Sequence, residues 1–270
     1  MVSVYIHDNA SAPLSLPRTM VVPISLPWGG GGRILLSWPD DLPAGDGRPL
    51  LVLLGGENHF GLARDLAHLL AQEGGSPTEP GIVAAIALDD ADGFALSWAG
   101  ETRGPSGEAL AAAIAAAIEV EIGGRLPVDR TRVGAIGFGA AGRFAVEVLV
   151  ASPGTFAVTV AANPAVWPGG QPPIDADTLR DRLASLSPRQ LLLLAGGDEW
   201  GTRGKRSRMA ANARTIAARL AETRVSGLSV TVAIVDEDDP VAVVPTAISR
   251  AIRLAFAPRP PQVAAAGAFS

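Results

Sequence analysis

The segment that most constrains the fold runs from Arg132 to Leu149 and reads RVGAIGFGAAGRFAVEVL. It begins as an apolar strand, passes through a glycine-rich turn and continues as a helix. The apolar residues of that helix recur at i, i+3, i+4, i+7 and i+8 and share one face: they are Ala141, Phe144, Ala145, Val148 and Leu149. The segment therefore predicts a strand joined to a helix by a tight turn, which is the repeating unit of a parallel α/β sheet.

The same alternation covers most of the chain. Two strand-like runs at residues 18–26 and 33–39 are separated by glycines and predict an antiparallel hairpin. Other apolar runs of strand length, and helical segments between them, are distinguished by length and periodicity. These strands are predicted at 49–56, 81–88, 132–138, 155–162, 190–197 and 228–236, and the helices at 60–72, 106–122, 141–149, 209–222 and 243–256. The pattern predicts one doubly wound α/β domain over residues 1–257, with a mostly parallel sheet and helices on both faces. Residues 169–173 are predicted to lie in a loop, and residues 258–270 to form a flexible tail.

Composition excludes several classes of function. A net charge of −5 and a pI near 5.2 argue against nucleic acid or an anionic membrane as the main partner. The absence of cysteine excludes thiol nucleophiles, disulfides and cysteine-based metal sites. The acidic run DEDD at 236–239 is typical of a solvated turn more than of a cation site. No signal peptide or membrane-spanning run is evident, so we expect a soluble, cytoplasmic protein without metal or cofactor.

The glycine turn has three interpretations. Gly137 to Gly142 spell G-x-G-x-x-G, as in dinucleotide-binding folds. That fingerprint belongs in the first strand–helix turn and needs an acidic residue about 20 positions later, whereas this turn lies mid-chain and no Asp or Glu occurs between Glu147 and Asp175. The same letters fit a G-x-S-x-G nucleophile elbow with Gly139 in place of the serine. A turn that needs small residues only for packing is the third interpretation.

Four segments in order support the elbow. They are the strand–turn–helix at 133–149, the segment ASPGTFAVTVAANPAVW at 151–167, LLLLAGGDEW at 191–200, and VDEDDPVAVVP at 235–245. Together they resemble the esterase D and enterochelin-esterase group of the α/β-hydrolase superfamily, in which the second segment carries P-x-x-F … S-x-x-W and the last carries H-x-S-V-V-P. Pro153, Phe156, Asn163 and Trp167 occupy matching places. The resemblance runs from about Leu50 to Phe256 and implies the α/β-hydrolase fold.

The resemblance also implies where a catalytic triad would lie. Its nucleophile position falls on Gly139, its acid on Asp198 or, by preference, Glu199, and its base on Pro240, or on Asp239 if the loop is shifted. Glycine has no oxygen with which to attack, and proline cannot accept a proton. Serine hydrolysis needs a hydroxyl activated by an imidazole that a third group orients. The triad is therefore predicted to be degenerate.

No displaced residue restores the triad in an obvious way. The three histidines, His7, His59 and His68, all precede the turn. His59 follows two glycines at the end of a predicted central strand, where open α/β sheets bind ligands, although a plain loop residue remains the alternative. The resemblance implies an oxyanion hole from the amide of Ala140 and the loop before His59. The candidate pocket and acid–base residues are Glu57, Asn58, His59, Trp98, Arg103, Ala140, Trp167 and Asp198.

Three functions follow from these residues. The favoured one is an esterase-like protein that lost the Ser and His of the triad and binds a carbonyl- or ester-like small molecule or a protein partner. The alternative is an enzyme that reuses the pocket for non-hydrolytic acid–base chemistry, as an isomerase, cyclase or lyase. A carboxylic-ester hydrolase with displaced catalytic residues is less favoured.

Overall fold

A computed structural model describes residues 16–27, 29–42, 45, 47–72, 78–89, 107–165, 174–197, 209–235 and 241–259. The strands within them are β1 (Thr19–Ser25), β2 (Gly31–Ser37), β3 (Arg48–Leu54), β4 (Ile82–Leu88), β5 (Val128–Phe138), β6 (Val158–Ala162), β7 (Arg189–Gly196) and β8 (Leu228–Val235). The α-helices are α1 (Phe60–Gln72), α2 (Gly107–Ala117), α3 (Ala140–Ala151), α4 (Ala176–Leu183), α5 (Met209–Glu222) and α6 (Val243–Ala255). A 3-10 turn, Glu57–His59, precedes α1, and a π-helical turn, Ile118–Ile122, follows α2.

The strands form a single mixed sheet in the order β1-β2-β4-β3-β5-β6-β7-β8. The pairs β1/β2 and β2/β4 are antiparallel, and all the other pairs are parallel. The predicted antiparallel entry hairpin and mostly parallel doubly wound sheet are therefore confirmed. The parallel strands β3 and β5 to β8 all end on the same side of the sheet, where open α/β sheets commonly bind ligands.

Both faces of the sheet are covered, which explains why its inner strands are continuous apolar runs. In β3, Leu50, Val52 and Leu54 pack beneath α2 and α3, while Leu51 and Leu53 pack against α1 and α6. Helices α4 and α5 cover β6 and β7 on the same face as α3. The face of α3 predicted from its periodicity is buried as expected.

Two helical segments differ from the sequence prediction. The helix predicted over 106–122 is α-helical only over Gly107–Ala117, and it then widens into a π turn in which the N–H of Gly123 donates to the carbonyl of Ile118 at 2.9 Å. Helix α4 was not predicted at all. It is short and polar, but Asp175 caps it by accepting a hydrogen bond from the N–H of Thr178 at 2.7 Å.

The described end of the chain lies against the sheet. After α6, the N–H of Arg259 donates to Glu79 Oε1 at 3.1 Å, and its guanidinium donates to Asp129 Oδ2 at 2.5 Å. Asp129 is buried in β5 and also accepts from the N–H and the hydroxyl of Thr131. The boundary between domain and tail stays a prediction, and residues 260–270 lie outside the described part. None of the described helices combines the length and apolarity that crossing a membrane requires.

Candidate functional site

The turn between β5 and α3 holds Gly139 in a conformation that L-amino acids rarely adopt. Its φ is 56° and its ψ is −116°, which lies outside the main regions that residues with a Cβ populate. The N–H of Gly139 donates to the carbonyl of Ala162 at 3.0 Å. Its own carbonyl accepts from the N–H groups of Arg143 at 3.0 Å and Ala165 at 2.9 Å. These bonds fix the turn between the end of β6 and the first turn of α3.

The other two glycines of the motif allow the strand and the helix to pack closely. A Cβ on Gly137 would lie 2.2 Å from the carbonyl oxygen of Ala141. A Cβ on Gly142 would lie 2.9 Å from the carbonyl oxygen of Gly137 and 3.0 Å from that of Ala162. Backbone packing therefore accounts for both glycines without a bound dinucleotide, which favours the elbow interpretation.

No described residue beyond the turn itself occupies the side-chain position of Gly139. Apart from Gly139 and its two chain neighbours, no described residue has a heavy atom within 4 Å of the place that a Cβ on Gly139 would occupy. Ala140, the next residue, is the first residue of α3. The first N–H groups of a helix have no partner within it, and they carry the positive end of the helix dipole. Within the part of the chain that the structure describes, the turn thus presents open space beside N–H groups suited to a partly negative oxygen.

His59 lies next to this turn. Its ring contacts Phe138, the residue before Gly139, edge to face at a centroid distance of 4.7 Å and an interplanar angle of 60°. The backbone N–H of His59 donates to the carbonyl of Gly56 at 2.9 Å within the 3-10 turn after β3. Partial burial lowers the pKa of His59 below its ordinary value because burial disfavours the charged imidazolium. The imidazole is therefore neutral at pH 7.

The neighbours of His59 have other surroundings. Glu57 is half-buried and forms an ion pair with Arg33 of β2, with 2.6 Å between Oε2 and Nη2. The side chain of Asn58 is exposed. The structure thus places the ring of His59 against Phe138, the residue before Gly139, while Ala140 directly follows Gly139 and Glu57 contacts the antiparallel hairpin. The roles predicted for these residues stay predictions.

The remaining predicted site residues lie outside the described part of the chain. They are Trp98, Arg103, Trp167, Asp198, Glu199 and Pro240, together with the alternative base position Asp239. β7 ends at Gly196 and β8 at Val235, at the same sheet edge as Gly139.

Two buried asparagines support the turn and were not predicted as a pair. Asn163 follows β6 with φ 46°, and its Oδ1 accepts from the N–H of Gly196 at 3.1 Å. Asn212 of α5 donates from Nδ2 to the carbonyls of Pro164 at 2.7 Å and Ala165 at 2.9 Å. Ala165 in turn donates to Gly139. The sequence signal for these hydrogen bonds was an asparagine within the apolar face of α5, because buried amides are hydrogen-bonded. We call the bonds from Asn212 to Pro164 and Ala165 the asparagine brace.

A buried ion pair lies one turn further along α3. Arg143 Nε is 3.3 Å from Glu147 Oε1, and their side chains are only 7% and 4% exposed. Charged residues are buried at this level only when they are paired. The apolar periodicity that predicts this helix gives no sign of the pair.

The sheet order, the antiparallel start and the strand–turn–helix geometry at Gly139 define an α/β-hydrolase fold. Solved structures with this architecture match nearly the whole chain. The BES protein from Bacillus cereus matches with a TM-score of 0.76 at 16% identity, over 92% of this chain and 99% of that chain. The siderophore hydrolase EstB from Aspergillus nidulans matches with a TM-score of 0.69 at 20% identity, over 93% and 100%. The enterobactin and salmochelin hydrolase IroE matches with a TM-score of 0.65 at 16% identity, over 90% and 98%.

The structural neighbours therefore include siderophore hydrolases, and the resemblance inferred from sequence is confirmed at the level of the fold. No protein-family model matches the sequence, and no curated protein matches it either.

Proposed function

We propose that this chain is a non-hydrolytic protein of the α/β-hydrolase fold that binds a small carbonyl- or ester-containing molecule above Gly139. The observation that carries the proposal is the turn itself, which has the elbow geometry and an open space but no side chain at its centre. No histidine follows residue 139 in the sequence, whereas the triad of this fold runs nucleophile, acid, histidine in chain order.

The ligand class follows from what remains of the site. The amide of Ala140 indicates that the ligand carries an oxygen acceptor, because N–H groups at the start of a helix favour negative charge. His59, neutral at pH 7, supplies a second hydrogen-bonding group beside the turn. Since EstB is a siderophore hydrolase and IroE is an enterobactin and salmochelin hydrolase, ester-bearing siderophores and their hydrolysed fragments are the first ligands to test.

The hydrolytic alternative is tested by a fluorophosphonate probe and intact-mass spectrometry. We expect no adduct on the wild-type protein and no turnover of p-nitrophenyl esters from acetate to octanoate above background. A stoichiometric adduct, or ester turnover that persists through repurification, would mean that a displaced nucleophile acts, and the proposal would fail.

Binding is tested with a matched pair of glycine variants. Gly139 and Gly227 both have positive φ (56° and 83°), and neither has a described heavy atom within 4 Å of its Cβ position. Gly139→Trp fills the proposed site, while Gly227→Trp places the same side chain in open space before β8. By calorimetry with a triester siderophore, we expect binding to be lost only in Gly139→Trp. Equal affinity in both variants would exclude the space above Gly139 as the site.

A second candidate function is acid–base catalysis without a covalent intermediate. It is favoured by one observation, the contact of a neutral His59 with the residue before Gly139. A neutral imidazole is the form that accepts a proton. If a ligand found by calorimetry is slowly isomerised or cyclised, His59→Gln should reduce the rate at least about 100-fold and leave affinity nearly unchanged. An unchanged rate would remove His59 from the chemistry.

A further inference from the structure

Strand β8 forms one edge of the sheet and carries none of the features that usually protect an edge. Among the described residues it pairs only with β7. Its sequence, LSVTVAIV, contains no charged residue, no proline and no glycine. The opposite edge strand, β1, has Pro23 near its centre. Natural edge strands are commonly blocked by proline, charge or bulges, because unpaired N–H and C=O groups recruit another strand.

The centre of β8 is exposed although its neighbours are buried. Thr231 and Val232 are both exposed, and 36% of the surface of Val232 is accessible. In β7, by contrast, the residues from Leu191 to Gly196 are buried. In β8, alternate residues direct their N–H and C=O groups away from β7, as in any parallel pair. An apolar β-branched side chain and free backbone groups thus coincide in the middle of the edge.

We propose that β8 pairs antiparallel with β8 of a second copy of this chain, about a two-fold axis that passes beside Val232 perpendicular to the sheet. Such an axis leaves each side chain on the same face of the sheet in both copies. An even-numbered residue therefore faces an even-numbered residue of the second copy, and an odd-numbered residue faces an odd-numbered one. Val232 then faces Val232 of the second copy, and Val230 faces its Ile234. Cross-strand pairs of β-branched residues of this kind stabilise antiparallel sheets. The two sheets become one continuous sheet.

Charge favours a second copy over an unrelated strand. Arg250 and Arg253 of α6 line a groove together with Ser229 and Thr231, in the first half of β8. In sequence, Val235 is followed directly by DEDD at residues 236–239. Antiparallel pairing brings the basic start of each β8 beside the end of the other, after which the chain becomes acidic. Each end of the pair therefore combines a basic groove with a strand end that an acidic run follows in the sequence, and this charge pattern favours the antiparallel pairing of two copies.

The first test is the mass in solution by light scattering. The wild-type protein should have about twice the chain mass of 27.6 kDa, and Val232→Lys should convert it to the monomer because two lysines would then face each other. Val21→Lys is the matched control: Val21 is 62% exposed on the opposite edge strand, and this variant should stay dimeric. A monomeric wild-type protein, or a dimer that survives Val232→Lys but not Val21→Lys, overturns the proposal.

The second test reads the register without disturbing the fold. The chain contains no cysteine, so single cysteines report on one contact at a time. Val232→Cys should form an intermolecular disulfide under mild oxidation, because directly opposed residues meet the distance that a disulfide needs. Val230→Cys should not, since the two copies of residue 230 would be about 13 Å apart along the strands. Equal cross-linking of both variants, or none at residue 232, contradicts the proposed axis.

Discussion

Alanine substitutions at Gly137 and Gly139 in the β5–α3 turn should both destabilise the protein, but for different physical reasons. Gly137→Ala meets an obstacle, because its Cβ would lie 2.2 Å from the carbonyl oxygen of Ala141 and 2.7 Å from the nitrogen of Gly142. Gly139→Ala meets none among the described residues but keeps a φ of 56°. The first variant therefore tests packing, and the second tests backbone strain.

The magnitudes follow from these distances. Non-bonded carbon and oxygen atoms need more than 3 Å, so Gly137→Ala must move the first turn of α3 by about 1 Å, and overpacking against backbone should cost about 3 kcal/mol or more. At Gly139, an unfavourable φ/ψ region costs about 1–3 kcal/mol. The smaller entropy of the unfolded alanine chain offsets about 0.4–1 kcal/mol of either cost. We expect Gly137→Ala to be less stable than Gly139→Ala by about 1–2 kcal/mol.

The assay is urea unfolding followed by tryptophan fluorescence and circular dichroism, with thermal melts alongside. For a chain of this length, 1 kcal/mol corresponds to roughly 2 °C in Tm, so a gap of about 2–4 °C is expected. Gly227→Ala is the control, because it combines positive φ with open space away from the turn and should resemble Gly139→Ala. If Gly139→Ala were as damaging as Gly137→Ala, the space above residue 139 would be filled, and the proposed binding site would fail with it.

Three further outcomes are expected. The folded-state pKa of His59 lies below its unfolded value of 6.5, so the unfolded chain binds more protons than the folded protein as the pH falls towards and below that value. Between pH 7.5 and 5, urea midpoints should therefore show a larger loss of stability for the wild-type protein than for His59→Gln. Gly139→Ser should fold but show no esterase activity, since no histidine follows it in the sequence to act as base; turnover of p-nitrophenyl acetate would contradict this. Asn212→Ala should cost about 2 kcal/mol, because two loop carbonyls lose their donor. Asn212→Asp should cost more, because a carboxylate would face the same oxygens; the reverse order in urea titrations would argue against this brace.

The sequence predicted those elements whose apolar pattern is long and regular. Helices α1 and α5 have the bounds expected from periodicity, at Phe60–Gln72 and Met209–Glu222. The misses are segments in which polar side chains take over the role of apolar ones. β5 begins at Val128 rather than Arg132 because Asp129 is buried by its bonds to Thr131 and Arg259. Arg259 lies 130 positions away from Asp129 in sequence, so this bond cannot be read from a local pattern.

In the candidate site, too, features with a local cause in the sequence could be predicted, and features that depend on the order of the strands could not. The turn was predictable because small residues at fixed spacing have a local cause, the close packing of β5 on α3. The contact between His59 and Phe138 was not, since it joins the ends of two strands about 80 positions apart in sequence and depends on β3 and β5 being neighbours in the sheet. The position of His59 after the carboxyl end of a strand indicated only that it lies on the same side of the sheet as the turn at Gly139.

The conformation of Gly139 affects both the stability of the turn and the chemistry that a residue at this position can perform. A serine at φ 56° and ψ −116° would carry strain of about 1–3 kcal/mol, which a hydrolase tolerates because the strained turn exposes its nucleophile. Glycine adopts the same conformation without a Cβ and so avoids that strain. A protein that does not use the nucleophile therefore gains stability from glycine, while the hydrogen bonds to Ala162, Arg143 and Ala165 keep the turn in place. The proposed binding role requires the turn to keep its shape without a side-chain oxygen at residue 139, because the N–H of Ala140 keeps its position only as long as the turn does.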